Sequence, residues 1–189
     1  MNKRLTDFNE HLVSAAGERF PGRILVMGEG DHNASIMLVG EAPGAEEEKL
    51  KRPFVGKAGK NLTRFLDTVG MERDCLYITN VVKIRPYKIS PKTGRTVNRP
   101  PSKEELEFFS PLLRDEIEAV EPKLIVTLGN TPLRAVTGID SANIGDYHGE
   151  VINVGKYRVF PLYHPAAVIY NRKLEHIYSE DMGKIKKFF

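Results

Sequence analysis

The amino-acid sequence predicts an α/β fold in which a mainly parallel sheet carries helices on both faces. Short apolar runs alternate with longer amphipathic segments, an order that is typical of parallel sheets. Two of the runs flank Gly155-Lys156 and are expected to form a hairpin. The predicted strands are Ile24–Met27, Ser35–Val39, Leu76–Thr79, Leu124–Leu128, Glu150–Val154 and Arg158–Leu162.

The helices between these strands are predicted from periodicity and from residues that begin or end helices. Ser102 and Glu105 form a capping-box pattern, which predicts a helix from Ser102 to about Val120. Gly70 is expected to end a helix that begins at Lys57. The other predicted helices are Leu5–Ala16, one that starts at Gly129–Pro132, and Leu174–Phe188.

Length and composition fit one domain that spans residues 1–189. No apolar run is long enough to cross a membrane, and no signal peptide is recognised. Cys75 is the only cysteine, which excludes an internal disulfide and a metal cluster held by cysteines alone. We therefore expect a cytoplasmic protein without membrane contacts.

The net charge is only +3, but the charge is unevenly distributed. No acidic residue occurs between Asp74 and Glu104, whereas seven Lys and Arg residues lie in the segment Lys83–Lys103. Such a block favours a polyanionic partner such as nucleic acid, although a solvated basic loop would have the same composition. Four prolines and one glycine between Lys83 and Pro101 predict a loop there rather than regular structure.

Polar residues follow three of the predicted strands. Glu41, Asn80 and His164 each come directly after a strand or at its end, and Phe54 lies in a loop rich in Pro and Gly. Since the carboxyl ends of parallel strands meet at one edge of the sheet, these four side chains are expected to share a pocket. A ring, an amide, a histidine and a carboxylate together suit a nucleobase, although each residue could also have a purely structural role.

Four motifs resemble those of the uracil-DNA glycosylase superfamily, and most of all its thermostable family 4. The resemblance as a whole extends from about Arg23 to Val168. This resemblance implies a three-layer α/β/α sandwich with a central, mainly parallel four-stranded sheet. The motifs are Gly40-Glu41-Ala42-Pro43-Gly44, Arg52-Pro53-Phe54-Val55-Gly56-Lys57-Ala58-Gly59, Tyr77-Ile78-Thr79-Asn80-Val81-Val82-Lys83 and His164-Pro165-Ala166-Ala167-Val168.

The resemblance also implies roles for the predicted pocket residues. Phe54 would stack on an extruded uracil, and Asn80 would bind its N3–H and O4. His164 would hydrogen-bond to O2 and stabilise the uracil anion as it leaves. The backbone of Ala42 and Gly44 would help to form the pocket.

The catalytic carboxylate is less certain from the sequence. Glu41 would assist the water or the oxocarbenium-like sugar, so that Glu41 and His164 are the predicted catalytic residues. Other branches of the superfamily place a carboxylate where this chain has Ala42. Family 4 has Ala or Gly at this position, as this chain does. The run Glu46–Glu48 leaves Glu47 as the alternative, or it could simply cap the following segment.

The expected partner is uracil-containing DNA, single- or double-stranded. The segment Ala167–Arg172 resembles the loop that enters DNA and replaces the flipped base, with Ile169 or Tyr170 as the wedge. Basic residues nearby are expected to contact phosphates. The predicted DNA-binding residues are Lys57, Lys60, Arg85, Ala167, Ile169, Tyr170 and Arg172.

No cofactor is expected, and this departs from family 4. Its members usually bind a [4Fe–4S] cluster through four cysteines, the third and fourth of which correspond to Ile84 and about Phe109. No cysteine precedes Cys75, so the N-terminal pair is missing as well. Because such a cluster needs its thiolates, we predict no cluster and no other metal, and we expect apolar packing to replace it.

The resemblance implies a monomeric glycosylase that removes uracil from DNA in base excision repair and leaves an abasic site. Two alternatives remain open. The same pocket could accept another deaminated base such as hypoxanthine or xanthine, because an Asn amide can present either edge. The chain could also be a non-catalytic DNA-binding protein or one that traps its product, although no histidine lies between Lys83 and Lys103 to support trapping.

Overall fold

The computed structural model describes residues 2–188. Within these residues it contains eight helices and eight strands, and two short 3₁₀ turns cover Arg73–Cys75 and Lys186–Phe188. The helices are α1 (Lys3–Arg19), α2 (Ala45–Leu50), α3 (Lys57–Val69), α4 (Lys103–Val120), α5 (Asn130–Thr137), α6 (Ile144–Tyr147), α7 (Pro165–Tyr170) and α8 (Leu174–Ile185). The strands are β1 (Glu29–Gly30), β2 (Ile36–Gly40), β3 (Tyr77–Asn80), β4 (Tyr87–Ile89), β5 (Thr96–Asn98), β6 (Leu124–Leu128), β7 (Ile152–Val154) and β8 (Tyr157–Leu162).

The central sheet has the strand order β1-β3-β2-β6-β8-β7. Its four inner strands are parallel to one another, as predicted, and the short strands β1 and β7 add to the two edges in antiparallel orientation. Gly40 pairs with Asn80, and Leu128 pairs with Leu162. This register brings the carboxyl ends of all four inner strands to the same edge of the sheet.

Two apolar layers cover the sheet, one on each face. Strands β2, β3 and β6 are buried along their whole length, which fits their largely apolar sequences. On one face α1 and α4 pack through residues such as Leu12 and Leu113. On the other face α3 and α8 pack through residues such as Phe65 and Tyr178. The fold is therefore the expected three-layer sandwich.

The predicted helix ends are also confirmed. The Ser102 hydroxyl accepts a hydrogen bond from the Glu105 backbone N–H, and the Glu105 carboxylate accepts one from the Ser102 N–H. Gly70 ends α3 in the left-handed conformation, with φ +72°. Within residues 2–188, no helix is both long and apolar enough to span a lipid bilayer.

Two predictions of local structure were wrong. Ile24–Met27 is not a strand; only an isolated bridge joins Leu25 to Ile84, and the edge strand forms later, at Glu29–Gly30. The basic segment is not simply a loop, because β4 and β5 pair in it as an antiparallel hairpin. Its prolines lie outside the short ladder, and Gly94 supplies the left-handed residue in the turn.

A fully buried ion pair joins α4 to the end of β3. The Lys83 ammonium donates to a Glu116 carboxylate oxygen at 2.5 Å, to Thr79 Oγ1 at 2.6 Å and to the Asn80 carbonyl oxygen at 2.6 Å. Glu116 also accepts hydrogen bonds from Tyr77 and Thr79. Burial lowers the pKa of Lys83, and the charge of Glu116 opposes that shift. The network therefore compensates the buried charges and anchors the backbone of Asn80.

Replacing Lys83 by Met should destabilise the protein by about 3–5 kcal/mol, because it leaves the Glu116 carboxylate buried without a counter-ion. Urea denaturation at neutral pH measures this loss. The double variant Lys83→Met/Glu116→Gln should lose less stability, since the amide carries no charge. Equal losses of stability in the single and double variants would show that the unpaired charge of Glu116 does not cause the destabilisation.

Candidate active site

A cavity of about 500 Å³ opens at the carboxyl edge of the parallel strands. It brings together all the residues predicted to be catalytic or to bind the base, although they come from four separate segments of the chain. Those residues are Glu41, Ala42, Gly44, Phe54, Asn80 and His164. The cavity wall also includes Lys57 and Tyr170, from the set predicted to bind DNA, and Glu47.

Gly40 allows Phe54 and Asn80 to converge in this cavity. A Cβ atom at Gly40 would lie 2.4 Å from Asn80 Oδ1 and 2.4 Å from Phe54 Cζ. Asn80 is only 3% exposed. No hydrogen bond within residues 2–188 involves its side-chain amide, so its donor and acceptor remain free for a ligand.

Phe54 adopts a left-handed backbone conformation with φ +52°. Such a conformation costs a non-glycine residue about 1–2 kcal/mol and persists only where the surroundings enforce it. Arg73 donates to the carbonyl oxygens of Pro53 and Phe54, the latter at 2.9 Å. Arg73 is itself paired with Glu29 at 3.2 Å. The position of the Phe54 ring, called the platform ring below, is therefore fixed through the backbone of this residue.

Glu47 holds the other side of the same loop. One carboxylate oxygen accepts hydrogen bonds from the N–H groups of Val55 (3.0 Å) and Gly56 (2.7 Å), and the second accepts from Gly44 at 3.1 Å. These three bonds occupy the carboxylate as a brace between two loops. Glu48 is also engaged, in an ion pair with Arg85.

Glu41 has a different environment. It lies on the cavity wall and accepts a 2.5 Å hydrogen bond from Thr131 Oγ1 at the start of α5. Since Glu47 is committed to backbone N–H groups, the geometry favours Glu41 as the carboxylate that acts on a ligand. Thr131 was missed by sequence reasoning, because it is 90 positions away along the chain and carries no motif of its own.

His164 forms the N-cap of α7 and accepts a hydrogen bond at Nδ1 from the Ala166 N–H at 3.1 Å. The proton of the neutral ring therefore lies on Nε2. Burial lowers the pKa of His164 to about 4, with Glu47 opposing the shift. The ring centroid is 6.0 Å from that of Phe54. At neutral pH the site thus contains an uncharged donor beside the platform ring.

The predicted DNA-binding residues do not all reach the surface. Lys57, Lys60 and Arg172 are exposed, and on α7 Ile169 and Tyr170 are 46% and 89% exposed, whereas Ala167 is half-buried.

Arg85 is a correction to that set. Its side chain is buried, and its guanidinium donates to Glu48 and to Asn98 Oδ1, so it is not available to a phosphate. The basic segment likewise exposes less charge than its composition indicates. Lys83, Arg85 and Arg99 are paired with Glu116, Glu48 and Glu105. These carboxylates lie outside the segment in the sequence, so the pairing could not be predicted from it.

Comparison with known proteins identifies the family. The model of the uracil DNA glycosylase superfamily matches residues 27–185. The chain belongs to this superfamily. It is 43% identical over 171 residues to the type-4 uracil-DNA glycosylase of Sulfurisphaera tokodaii, covering 86% of this chain and 73% of that protein.

Two further relatives agree with this assignment. The type-4 uracil-DNA glycosylase of Thermotoga maritima is 39% identical over 167 residues, which cover 87% of this chain and 82% of that protein. The type-5 uracil-DNA glycosylase of Pyrobaculum aerophilum is 38% identical over 158 residues, which cover 75% of this chain and 66% of that protein. Residues 27–185, which the superfamily model matches, include every residue that lines the cavity.

The residues present do not fit the iron–sulfur cluster that the resemblance to family 4 implies. Ile84 and Phe109 are both fully buried in the core, and Phe109 stacks on Phe20 with centroids 5.6 Å apart. Cys75, the only cysteine, is exposed. Within residues 2–188, no group of three His, Cys, Asp or Glu side chains is placed to hold a metal ion.

Replacing Gly40 by Ala should destabilise this uracil-DNA glycosylase fold by about 1–3 kcal/mol, because the new methyl group would overlap Phe54 and Asn80. Chemical denaturation measures the change. Gly17→Ala is the matched control, since nothing lies within 4 Å of its Cβ position in α1, and it should gain about 0.5–1 kcal/mol. A neutral Gly40→Ala would show that the close approach is not needed.

His164 should make the stability depend on pH between about 4 and 6.5. An unfolded chain binds a proton at this residue below about pH 6.5, whereas burial delays protonation of the folded protein to a pKa of about 4. The unfolded state therefore carries more protons in this window, and the free energy of unfolding falls as the pH falls, by up to about 3 kcal/mol.

The measurement is urea denaturation at several pH values for the wild type and for His164→Gln. The variant should lose less stability between pH 6.5 and pH 4 than the wild type does. His11→Gln, at an exposed position in α1, serves as the control and should follow the wild type. If the free energy of unfolding fell equally with pH in all three proteins, His164 would not be the group that causes the pH dependence.

Proposed function

We propose that this protein removes uracil from DNA by hydrolysing the N-glycosidic bond and leaves an abasic site for base excision repair. The observation that supports this most is the convergence of the Phe54 ring, the free Asn80 amide and the neutral His164 in one cavity. The names of the relatives agree with the proposal.

The uracil must first leave the base stack, at a cost of a few kcal/mol. Phe54 offers its ring as a new stacking surface. Tyr170 is the more exposed of the two candidate wedge residues and would fill the gap in the stack, while Lys57, Lys60 and Arg172 bind phosphates. Such contacts make the binding depend on salt.

In the cavity, the Asn80 amide would accept from uracil N3–H and donate to O4. Cytosine presents the opposite pattern, with an acceptor at N3 and a donor at the exocyclic amine, so the oriented amide would disfavour it. The Lys83 contact to the Asn80 carbonyl oxygen supports this role, because it fixes the strand end from which the amide projects.

Bond cleavage would release uracil as an anion and leave positive charge on the sugar. The Nε2–H of His164 would donate to O2, where negative charge develops, and one such donor is worth about 3–4 kcal/mol in the transition state. Glu41, oriented by Thr131, would stabilise the sugar cation and position the water. The water oxygen bonds to the sugar C1′, and its proton ultimately neutralises the uracil anion. We further propose that a single domain acts as a monomer.

The test is release of uracil from oligonucleotides that carry uracil, hypoxanthine, xanthine or unmodified cytosine, followed by alkaline cleavage and gel electrophoresis. We expect cleavage at uracil only. His164→Ala should lower the single-turnover rate about 10²–10³-fold. Asn80→Asp should lose activity on uracil and gain activity on cytosine. The control variant Asn153→Asp, at an exposed position, should behave as wild type.

Two glutamine variants distinguish the role of Glu41 from that of Glu47. Glu41→Gln should lower the rate with little change in stability, because the amide can still accept from Thr131. Glu47→Gln should act mainly by lowering the free energy of unfolding, because it weakens three hydrogen bonds to backbone N–H groups. No abasic product at excess enzyme would overturn the proposed function, and a fully active Glu41→Gln would overturn the role of Glu41.

A further inference from the structure

The β4–β5 hairpin, residues 87–98, stands apart from the main sheet and is called the hairpin arm below. Its strands pair only with each other. The turn is closed by the Ser90 N–H, which donates to the Arg95 carbonyl oxygen at 2.8 Å, and by the Gly94 N–H, which donates to the Ser90 carbonyl oxygen at 2.9 Å. Every residue from 91 to 98 is exposed. The arm is thus an ordered projection rather than part of the core.

The root of the arm is fixed beside the cavity. Arg85 donates to Asn98 Oδ1 at 2.8 Å, and Arg99 donates through its Nε to the Tyr87 carbonyl oxygen at 3.2 Å. The Tyr87 ring packs against the guanidinium groups of Arg23 and Arg85. Asn98 and Arg99 also line the cavity wall. Isolated two-stranded hairpins are marginally stable, so these contacts explain why this one keeps a defined direction.

The charges divide between the root and the projecting part. The root arginines Arg85 and Arg99 are neutralised by carboxylates. Lys88, Lys92 and Arg95 of the arm form no ion pair in the described part of the chain. They are exposed, and no acidic residue occurs between Asp74 and Glu104 to offset them locally. The arm therefore presents three free cations on a projection whose root lines the cavity.

The exposed large apolar side chains of the arm are aliphatic. Ile89 is 66% exposed and Val97 is 37% exposed. Surfaces that bind single strands usually present aromatic rings on which bases stack, and the exposed part of this arm has none. A two-stranded β-ribbon instead matches the width of the major groove of duplex DNA, where aliphatic groups contact thymine methyl groups.

We propose that the hairpin arm grips duplex DNA beside the extruded nucleotide, with Lys88, Lys92 and Arg95 on the phosphates. The inference rests on the proposed function in that DNA is taken as the substrate. It assigns a role to three exposed cations of the basic segment that do not line the cavity. The root of the arm and Tyr170 line the same cavity, so both would contact DNA near the flipped base.

The test is the affinity for a uracil-free duplex, measured by fluorescence anisotropy between 50 and 200 mM salt. Each phosphate contact contributes about 0.9 to the slope of log K against log [salt]. The triple variant Lys88→Gln/Lys92→Gln/Arg95→Gln should therefore have a slope shallower by about 2.7. Over this range, wild-type affinity should fall about 40-fold more than that of the variant. The exposed sites make the substitutions compatible with folding.

Three comparisons make the result specific. Lys123→Gln/Lys156→Gln/Arg158→Gln removes the same charge at the opposite, amino-terminal edge of the sheet and should keep the wild-type slope. The charge-conserving variant Lys88→Arg/Lys92→Arg/Arg95→Lys should also keep it. Binding of the matching single strand should change by less than twofold in the Gln variant.

An unchanged slope in the arm variant would overturn the proposal. So would an equal effect of the control triple variant, or an equal loss on single-stranded DNA. Because the duplex contains no uracil, the readout is independent of glycosylase activity. A protein that binds through the arm but releases no uracil would refute the proposed function alone, and one that releases uracil with an unchanged slope would refute the arm alone.

Discussion

The left-handed backbone of Phe54 is the constraint on which the site depends, because a ring on the ordinary backbone path would not lie over Gly40 beside Asn80. Arg73 binds the carbonyl oxygens on one side of this residue, and Glu47 binds the N–H groups on the other. The unfavourable conformation is thus stabilised by charged groups that never need to touch a ligand. Its energetic cost is met before any base arrives, so binding energy remains for extrusion.

A second charged pair stabilises another part of the site. Lys83 and Glu116 lie fully inside the protein, and Lys83 holds the carbonyl oxygen of Asn80. A buried ion pair contributes little net stability, but it penalises every arrangement in which one partner is misplaced. The two networks therefore support different residues of one cavity. One sets the position of the ring, and the other sets the strand end that carries the amide.

Much of this architecture follows from local sequence, because apolar runs, Ser102 and Gly70 each determine their own element. The pocket residues could be grouped because the ends of parallel strands must meet, which is a property of topology rather than of conservation. The roles of Glu47 and Arg85 could not be inferred, since their partners depend on how distant loops pack. The hairpin arm was obscured by the prolines within and around it, although Ile89, Thr96 and Val97 already have strand-forming character.

Phe109 and Ile84 occupy, by resemblance, positions where relatives carry cluster ligands, and here they pack in the core together with Phe20. The contacts that tie α4 to the neighbouring segments are consequently made by atoms that belong to the polypeptide itself. Neither side chain carries a thiolate or any other metal-binding atom. What holds this corner of the molecule is therefore the fit between apolar surfaces, which depends on the shapes of the side chains rather than on directed bonds.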